Sequence, residues 1–414
     1  MAATEFPKPY VKWSCEPARA ADVPAAIARA YYVARQPPNG PTFVSVPADD
    51  WDAPAEAARP RAAGRALAPD PAALARVATA LNRARRPALV VGPAVDRDGV
   101  WDATVALAER TRAAVWVSPF SSRASFPENH PLFMGFLVAE RRAVARALAE
   151  HDVIVVLGAP VFTYHVASEG PVIPDGVTLF QLTADPESAA MAPVGESVLA
   201  TLDLAVPALL ALVEPPERAM SPTHPRASRP SLSEPPTAEW VLRAVAEALP
   251  PHGIIVEEAP SHRQAMHAQL PILRSGSFYA GAGGGLGWGL PGAVGAALAD
   301  PTRPVVCLLG DGSSMYSIQA LWTAAQQALP LTIVVLNNGG YVALKSFGQL
   351  LDVPHPPGVD LPGLDLVSIA RGHGCAAERV MRAADLPARL AAAIASGGPT
   401  LLDVPVDAAI PALY

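Results

Sequence analysis

Two short runs carry the side chains with the most chemical reach. The apolar run Val305-Val306-Cys307-Leu308-Leu309 leads directly into Gly310-Asp311-Gly312-Ser313-Ser314 and then into helix-forming sequence. Glycines on both sides of the acid let a ligand approach the backbone closely, a helix start offers free N–H groups to a phosphate, and Asp311 adds a carboxylate at the same point. One crossover later the run Leu331 to Leu336 ends in Asn337-Asn338-Gly339-Gly340-Tyr341. It offers the amide oxygen of Asn338 and the carbonyl of Gly340. One carboxylate, one amide, one carbonyl and the oxygens of a diphosphate form a hard-oxygen set suited to magnesium. Taken singly, Gly-Asp-Gly also reads as a tight turn and Asn-Asn-Gly-Gly as a hairpin loop. A spacing of one strand-helix-strand crossover places both at one sheet edge, where a shared cation needs them.

Such loops need a parallel sheet beneath them, because ligands of open α/β sheets bind beyond the carboxyl ends of the strands. The sequence from 237 to 414 supplies one. Strands are expected at Ile254 to Glu257, Val305 to Leu309, Leu331 to Leu336 and Leu401 to Val404, with helices near Ala238 to Ala248, Leu286 to Leu298, Ser317 to Ala328 and Pro387 to Ala395. Thr237 and Asp385 stand where capping residues belong. Residues 71–213 alternate in the same way: helices Pro71 to Arg85, Val100 to Arg110 and Glu140 to Glu150, strands Ala88 to Val91, Ala114 to Val117, Val153 to Leu157 and Thr178 to Leu182. Strands that are apolar throughout imply a sheet covered on both faces. The expected fold is therefore α/β, with two doubly wound parallel-sheet domains. They are bounded by Pro-rich linkers at 52–70 and 214–236. Residues 1–51 hold one helix, Ala21 to Arg35, and one strand, Thr42 to Val46, too little to bury a core and so read as the remnant of a third domain.

Composition narrows the partners. The chain has 414 residues, 51% hydrophobic and 17% charged, with a formal charge of −7 and only Lys8, Lys12 and Lys345 as lysines, so it presents no basic footprint for nucleic acid or an anionic membrane. A small molecule is the expected partner. Cys15, Cys307 and Cys375 are too few and too scattered for a disulfide framework or a paired-cysteine metal site, which points to a reducing compartment. With no signal-like N-terminus and no long charge-free apolar run, a cytoplasmic location is expected.

Gly310-Asp311-Gly312 followed by Asn337-Asn338 resembles the diphosphate-binding signature of thiamine diphosphate enzymes. Within them, several other segments resemble the benzoylformate decarboxylase branch of 2-oxo acid decarboxylases. These are Gly276-Ser277-Phe278-Tyr279, Gly283-Gly284-Gly285-Leu286-Gly287, Tyr316 to Gln326, Val11-Lys12-Trp13-Ser14, Val46 to Trp51, and Gly158-Ala159-Pro160-Val161-Phe162-Thr163-Tyr164-His165. The resemblance covers essentially the whole chain. It implies thiamine diphosphate and Mg2+ as cofactors, with Asp311, Asn338 and the Gly340 carbonyl on the metal. Ser261, Gly310, Gly312, Ser313 and Tyr341 would lie at the diphosphate, Gly284 at the aminopyrimidine, and Leu286 would be the apolar wedge that bends the cofactor. His165 matches the family's substrate-proximal histidine, a proton carrier suited to near-neutral pH; by pattern alone it reads as a loop or capping residue. Ala343, Leu344 and Phe347 match the lining of an aryl pocket, and a dry pocket favours loss of a carboxylate.

The sequence also departs from the family. Ala280 and Gly281 replace a larger aromatic residue and a cysteine, which widens the expected pocket, and Gly340 replaces a threonine, a small change if only its carbonyl is used. The part of the pyrimidine-binding domain that carries the activating glutamate, a serine and a second histidine is not matched here, so an incomplete site and an inactive polypeptide are expected. A coding start placed too far downstream, a degenerate remnant, or completion by another chain would each account for this. Family members are tetramers, expected here only for the complete protein. The implied reaction is non-oxidative decarboxylation of an aromatic or bulky 2-oxo acid to an aldehyde and CO2. A carboligating or acetolactate synthase-like lyase, and a non-catalytic scaffold, are the alternatives. Gly281-x-Gly283 also suggests a dinucleotide loop, a weaker reading because no apolar strand immediately precedes it. No Gly-rich phosphate loop is found in the central domain, where Asp185-Pro186 reads as a strand-end turn.

Overall fold

In a computed structural model, residues 2–165, 168–217 and 227–410 are described; the middle of the 214–236 linker and the last four residues lie outside them. Strands β1 (Trp13–Cys15) and β2 (Thr42–Val44) pair in parallel beside the helix Val23–Arg35, so the N-terminal piece holds two strands where one was expected. Residues 54–70 carry no helix or strand. They are tied down at Tyr32, whose hydroxyl donates to the Arg61 carbonyl at 2.6 Å, and at Thr201, whose hydroxyl oxygen accepts from Leu67 N at 3.1 Å.

The central sheet comprises β3 (Pro87–Val91), β4 (Ala114–Val117), β5 (Phe133–Phe136), β6 (Val153–Leu157), β7 (Thr178–Thr183) and β8 (Glu196–Leu199), in the order β5-β4-β3-β6-β7-β8. The C-terminal sheet comprises β9 (Ile254–Glu258), β10 (Phe278–Ala280), β11 (Val305–Gly310), β12 (Leu331–Asn337), β13 (Ala376–Arg379) and β14 (Thr400–Pro405), in the order β10-β9-β11-β12-β14-β13. All pairings in both sheets are parallel. The inner strands β3, β6 and β11 are apolar and buried nearly end to end, as sheets covered on both faces require, and β9 is buried throughout although it ends in Glu257 and Glu258. The two doubly wound parallel-sheet domains are thus present.

Several boundaries move for local reasons. The helix expected from Leu286 starts at Gly289, because the glycine-rich residues before it form a loop. The helix expected from Ser317 to Ala328 is the shorter Ala320–Gln326, preceded by a single turn at Asp311–Ser314; three-residue backbone bonds such as Tyr316 N to the Ser313 carbonyl turn the chain between them. Glu140 lies ahead of the helix Arg141–Ala147 and caps it, accepting from the backbone of Arg142 and Ala143. Thr237 caps Ala238–Ala248 as expected, by accepting from Trp240 N. Asp385 does not act as a cap: it precedes Leu386–Ala395 in helical backbone geometry, and its side chain takes no capping bond. Asp185 follows β7 and caps Pro186–Met191.

Two buried carboxylates join the α/β domains. Asp96, 8% exposed, accepts from Arg123 at 3.0 Å, from Ser275 Oγ at 2.6 Å and from Gly276 N at 2.7 Å. Glu128 accepts from His267 Nδ1 at 2.9 Å and from Ile272 N at 3.0 Å. Between these pins Ala280 N donates to the Ser122 carbonyl, and Arg123 lies over the Tyr279 ring. Loops of the central domain are thereby laid against the end of β10.

Candidate active site

Because the C-terminal sheet is parallel, the ends of β9, β10, β11 and β12 open onto one edge. The chain runs outward from β9 to β10 and then crosses back to β11 and β12, so strand order reverses between β9 and β11. Ligands of open sheets bind at such a reversal. Four loops meet there, at 259–263, 281–288, 310–314 and 337–341.

Adjacent pairing of β11 with β12, Gly310 opposite Leu336, brings the two chemical runs together. Asp311 is 2% exposed, with one carboxylate oxygen accepting from Gly312 N at 2.8 Å. Burial pushes its carboxyl above the usual range, while the backbone N–H groups of Gly312, Gly339 and Gly340 pull it back. The same contacts place Asp311 against the second loop. Its other oxygen, Oδ2, is buried and takes no hydrogen bond, and neither does Asn338 Oδ1. Two inaccessible oxygens without donors are costly unless a cation supplies the missing partner. Among the described residues no group of three or more His, Cys, Asp or Glu side chains could hold a metal. A cation here would therefore draw on one carboxylate, one amide and backbone carbonyls, with its remaining ligands from phosphate and water, as magnesium does. The residues fit a magnesium diphosphate.

The surrounding positions are fixed from below. The Asn337 amide donates to Asp403 at 2.8 Å, and its oxygen accepts from Gly339 N at 3.2 Å, which shapes the turn. The Tyr341 ring covers Gly312 so tightly that a Cβ on Gly312 would fall 2.4 Å from it. Ser313 is 5% exposed, and Ser261 lies half-buried on the turn Pro260–His262. The Glu258 carboxylate at the end of β9 accepts from Gly287 N at 2.7 Å and from Gly289 N, pinning the glycine-rich loop to the start of the helix Gly289–Ala299. That loop holds Leu286 half-exposed and Gly284 at φ 69°, a left-handed conformation that suits glycine.

His165 comes from the central domain, its backbone N bonded to the Ala139 carbonyl at 2.9 Å. Its ring centroid lies 4.3 Å from that of Phe120 and 6.0 Å from that of Phe347. A Cβ on Gly284 would be 3.9 Å from its Nε2. His165, Phe347 and Gly284, all implied by the family resemblance, therefore meet across the domain boundary. Lost hydration, and secondarily the Arg263 guanidinium, lower the His165 pKa from the ordinary imidazole range. Arg263 is itself paired with the fully buried Glu257 at 2.7 Å. Leu344 is half-exposed, and Ala343 and Gly281 are partly exposed. Ala280 is not placed in this way: it is 4% exposed and packs in the core with Ala124 and Phe278.

Phe120, Glu258, His262 and Arg263 are the site residues that the sequence reading misses. Phe120 leaves one trace, a loop of small and polar residues around a lone aromatic. The others become visible only through contacts across strands.

Fold and site together define a thiamine diphosphate-dependent enzyme. Residues 74–209 match the family model of the thiamine pyrophosphate enzyme central domain, and residues 259–404 that of the thiamine pyrophosphate enzyme C-terminal TPP binding domain. The chain is 42% identical over 412 residues to benzoylformate decarboxylase of Pseudomonas aeruginosa, a match that covers 98% of this chain and 78% of that protein. The crystal structure of benzoylformate decarboxylase from Polynucleobacter necessarius superposes with a TM-score of 0.96 at 38% identity, covering 99% of this chain and 78% of the other. Acetolactate synthase isozyme 1 large subunit of Escherichia coli is 28% identical over 409 residues, 94% of this chain and 71% of that one. The chain belongs to the thiamine diphosphate-dependent enzyme family. Among the described residues no helix is long and apolar enough to cross a membrane.

Proposed function

We propose that the chain serves the non-oxidative decarboxylation of an aromatic or bulky 2-oxo acid of the benzoylformate type, giving the aldehyde and CO2 with uptake of one proton. One observation carries the reading: the unpartnered buried oxygens of Asp311 and Asn338, on the loops that follow the adjacent strands β11 and β12. Asp311, Asn338 and the Gly340 carbonyl would hold Mg2+, and Gly310, Gly312, Ser313, Tyr341 and Ser261 would flank the diphosphate. Thiamine diphosphate, when bound, supplies the nucleophilic carbon and the electron sink of the reaction. Leu286 and Gly284 would set its conformation and its ring contact. His165, held below the ordinary imidazole range, is neutral near pH 7, so its ring can accept a proton from the substrate region and return one to it. Phe347, Phe120, Leu344 and Ala343 keep that region apolar, which disfavours a carboxylate relative to CO2. The acetolactate synthase reading has a lower identity behind it and no feature of this pocket in its favour.

The test is turnover of benzoylformate, its 4-hydroxy analogue and branched 2-oxo acids by the full-length gene product, with thiamine diphosphate and Mg2+ present or withheld. Aldehyde formed only with both cofactors supports the reading. No cofactor-dependent aldehyde from any of these acids overturns it, and an acyloin as the main product would favour the carboligase.

A further inference from the structure

An asparagine amide presents nearly the same outline whichever way it is turned, and only its partners decide whether oxygen or nitrogen faces a given point. Asn338 has one such partner. Its Nδ2 lies 3.3 Å from His262 Nε2, while its Oδ1 is buried and free of donors. His262 is 8% exposed and stands on the turn after β9, separated from β12 by β11, so its ring spans the width of a strand to reach the amide. An unprotonated Nε2 accepts and cannot donate, so it meets only the NH2 end of the amide.

We propose that His262 is a positioning residue for the cation site: by accepting from Asn338 Nδ2 it turns Oδ1 toward the metal that tethers the diphosphate. The inference rests on the magnesium reading given above and adds to it a residue that touches neither cation nor substrate. Without the acceptor the amide is free to turn over and offer NH2 to a cation, which repels it. Partners that orient metal ligands act in this way elsewhere, and their loss commonly costs about 10- to 100-fold in metal affinity.

The experiment is calorimetric titration of thiamine diphosphate into the chain across a series of Mg2+ concentrations, with no turnover measured. His262→Leu fills the volume without an acceptor, and His262→Gln restores one at a similar reach. His262→Leu is expected to raise the Mg2+ needed for half-maximal cofactor binding by about tenfold or more, and His262→Gln to stay within about threefold of the parent. In an Asn338→Asp background, where either oxygen serves, His262→Leu should add no further change. That background also decides the matter should His262→Leu alone fold poorly. Equal impairment by Leu and Gln, no change with Leu, or the full Leu effect persisting beside Asn338→Asp would each overturn the proposal. Asp311→Ala is the separate control: an unchanged Mg2+ requirement there refutes the magnesium reading itself, not only the role of His262.

Discussion

Gly340 is where the sequence reading and the structure differ most in weight, and the difference can be measured. By sequence its replacement of a threonine matters little if only its carbonyl binds metal. In the structure a Cβ on Gly340 would lie 2.3 Å from the Val359 carbonyl oxygen and 3.3 Å from Asp360 Cα. The 339–341 loop and residues 359–361 bind each other through Tyr341 N to the Val359 carbonyl at 2.7 Å and Leu361 N to the Gly339 carbonyl at 2.9 Å. Gly340→Ala must open that contact from 2.3 Å to at least 3.0 Å, a displacement of about 0.7 Å in a packed region that transmits strain. Octahedral Mg2+ ligands sit at about 2.0–2.1 Å, so a carbonyl shifted this far is lost as a ligand. The two backbone bonds weaken at about 0.5–1.5 kcal/mol each. We expect Gly340→Ala to lower thiamine diphosphate affinity in Mg2+ by at least about tenfold and stability by about 1–3 kcal/mol. Calorimetry of cofactor binding and thermal unfolding of the cofactor-free chain read the two effects. The comparison variant is Gly295→Ala, on the exposed face of Gly289–Ala299, where an added methyl meets nothing within 4 Å; it should stabilise by about 0.5–1 kcal/mol. Cofactor affinity unchanged in Gly340→Ala would refute the steric argument.

Two further outcomes follow from the same geometry. His165 has its pKa depressed in the fold, so its contribution to stability is fully present above the ordinary imidazole value of about 6.5 and is lost as pH falls through the folded pKa. A pH–rate profile should accordingly keep activity below the ordinary imidazole range, and replacing the Arg263–Glu257 pair together (Arg263→Met with Glu257→Gln) should move the acid limb upward; a limb that stays put, or moves down, contradicts the assignment. Glu258→Gln keeps one acceptor oxygen for two backbone donors, so either Gly287 or Gly289 loses its partner at a cost of about 1–3 kcal/mol. Hydrogen exchange should speed up at the first turn of Gly289–Ala299, and unchanged protection there would show that the carboxylate does not hold the loop.

Much of the architecture is legible in the sequence because the inner strands are continuous apolar runs. The strands that the pattern misses in the two domains, β5, β8, β10 and β13, are the four sheet edges. Ala376 to Arg379 and Glu196 to Leu199 have little β-forming character of their own and become strands by pairing with a neighbour. The candidate pair is legible because Asp311 and Asn338 directly follow strands one crossover apart, so order along the chain already implies proximity. His262 and Glu258 act on residues 76 and about 30 positions away, reached across a neighbouring strand or through the start of a helix, and local spacing holds no record of that. His165 is found only through its resemblance to a known segment; its apolar run ends eight residues earlier at Leu157, and of its ring neighbours Phe120 lies on a distant loop and Phe347 on the helix Val342–Leu350.

That last arrangement explains why two buried carboxylates lie between the domains. His165 is useful only if the central domain holds it at a fixed place over Gly284 and beside Phe347, both of which belong to the C-terminal domain. Apolar packing alone tolerates sliding, because dispersion contacts are numerous and weakly directional. Asp96 and Glu128 are directional, each accepting from a backbone N–H and from side chains of named geometry. Burying such groups adds little net stability, since desolvation consumes most of the attraction, but leaving one unpaired is expensive. A register error of even one residue at Ser275-Gly276 or Ile272 would leave a buried carboxylate short of donors. The pins therefore select one docking out of many with similar apolar area, and the selected docking is the one that sets His165 beside Gly284 and Phe347.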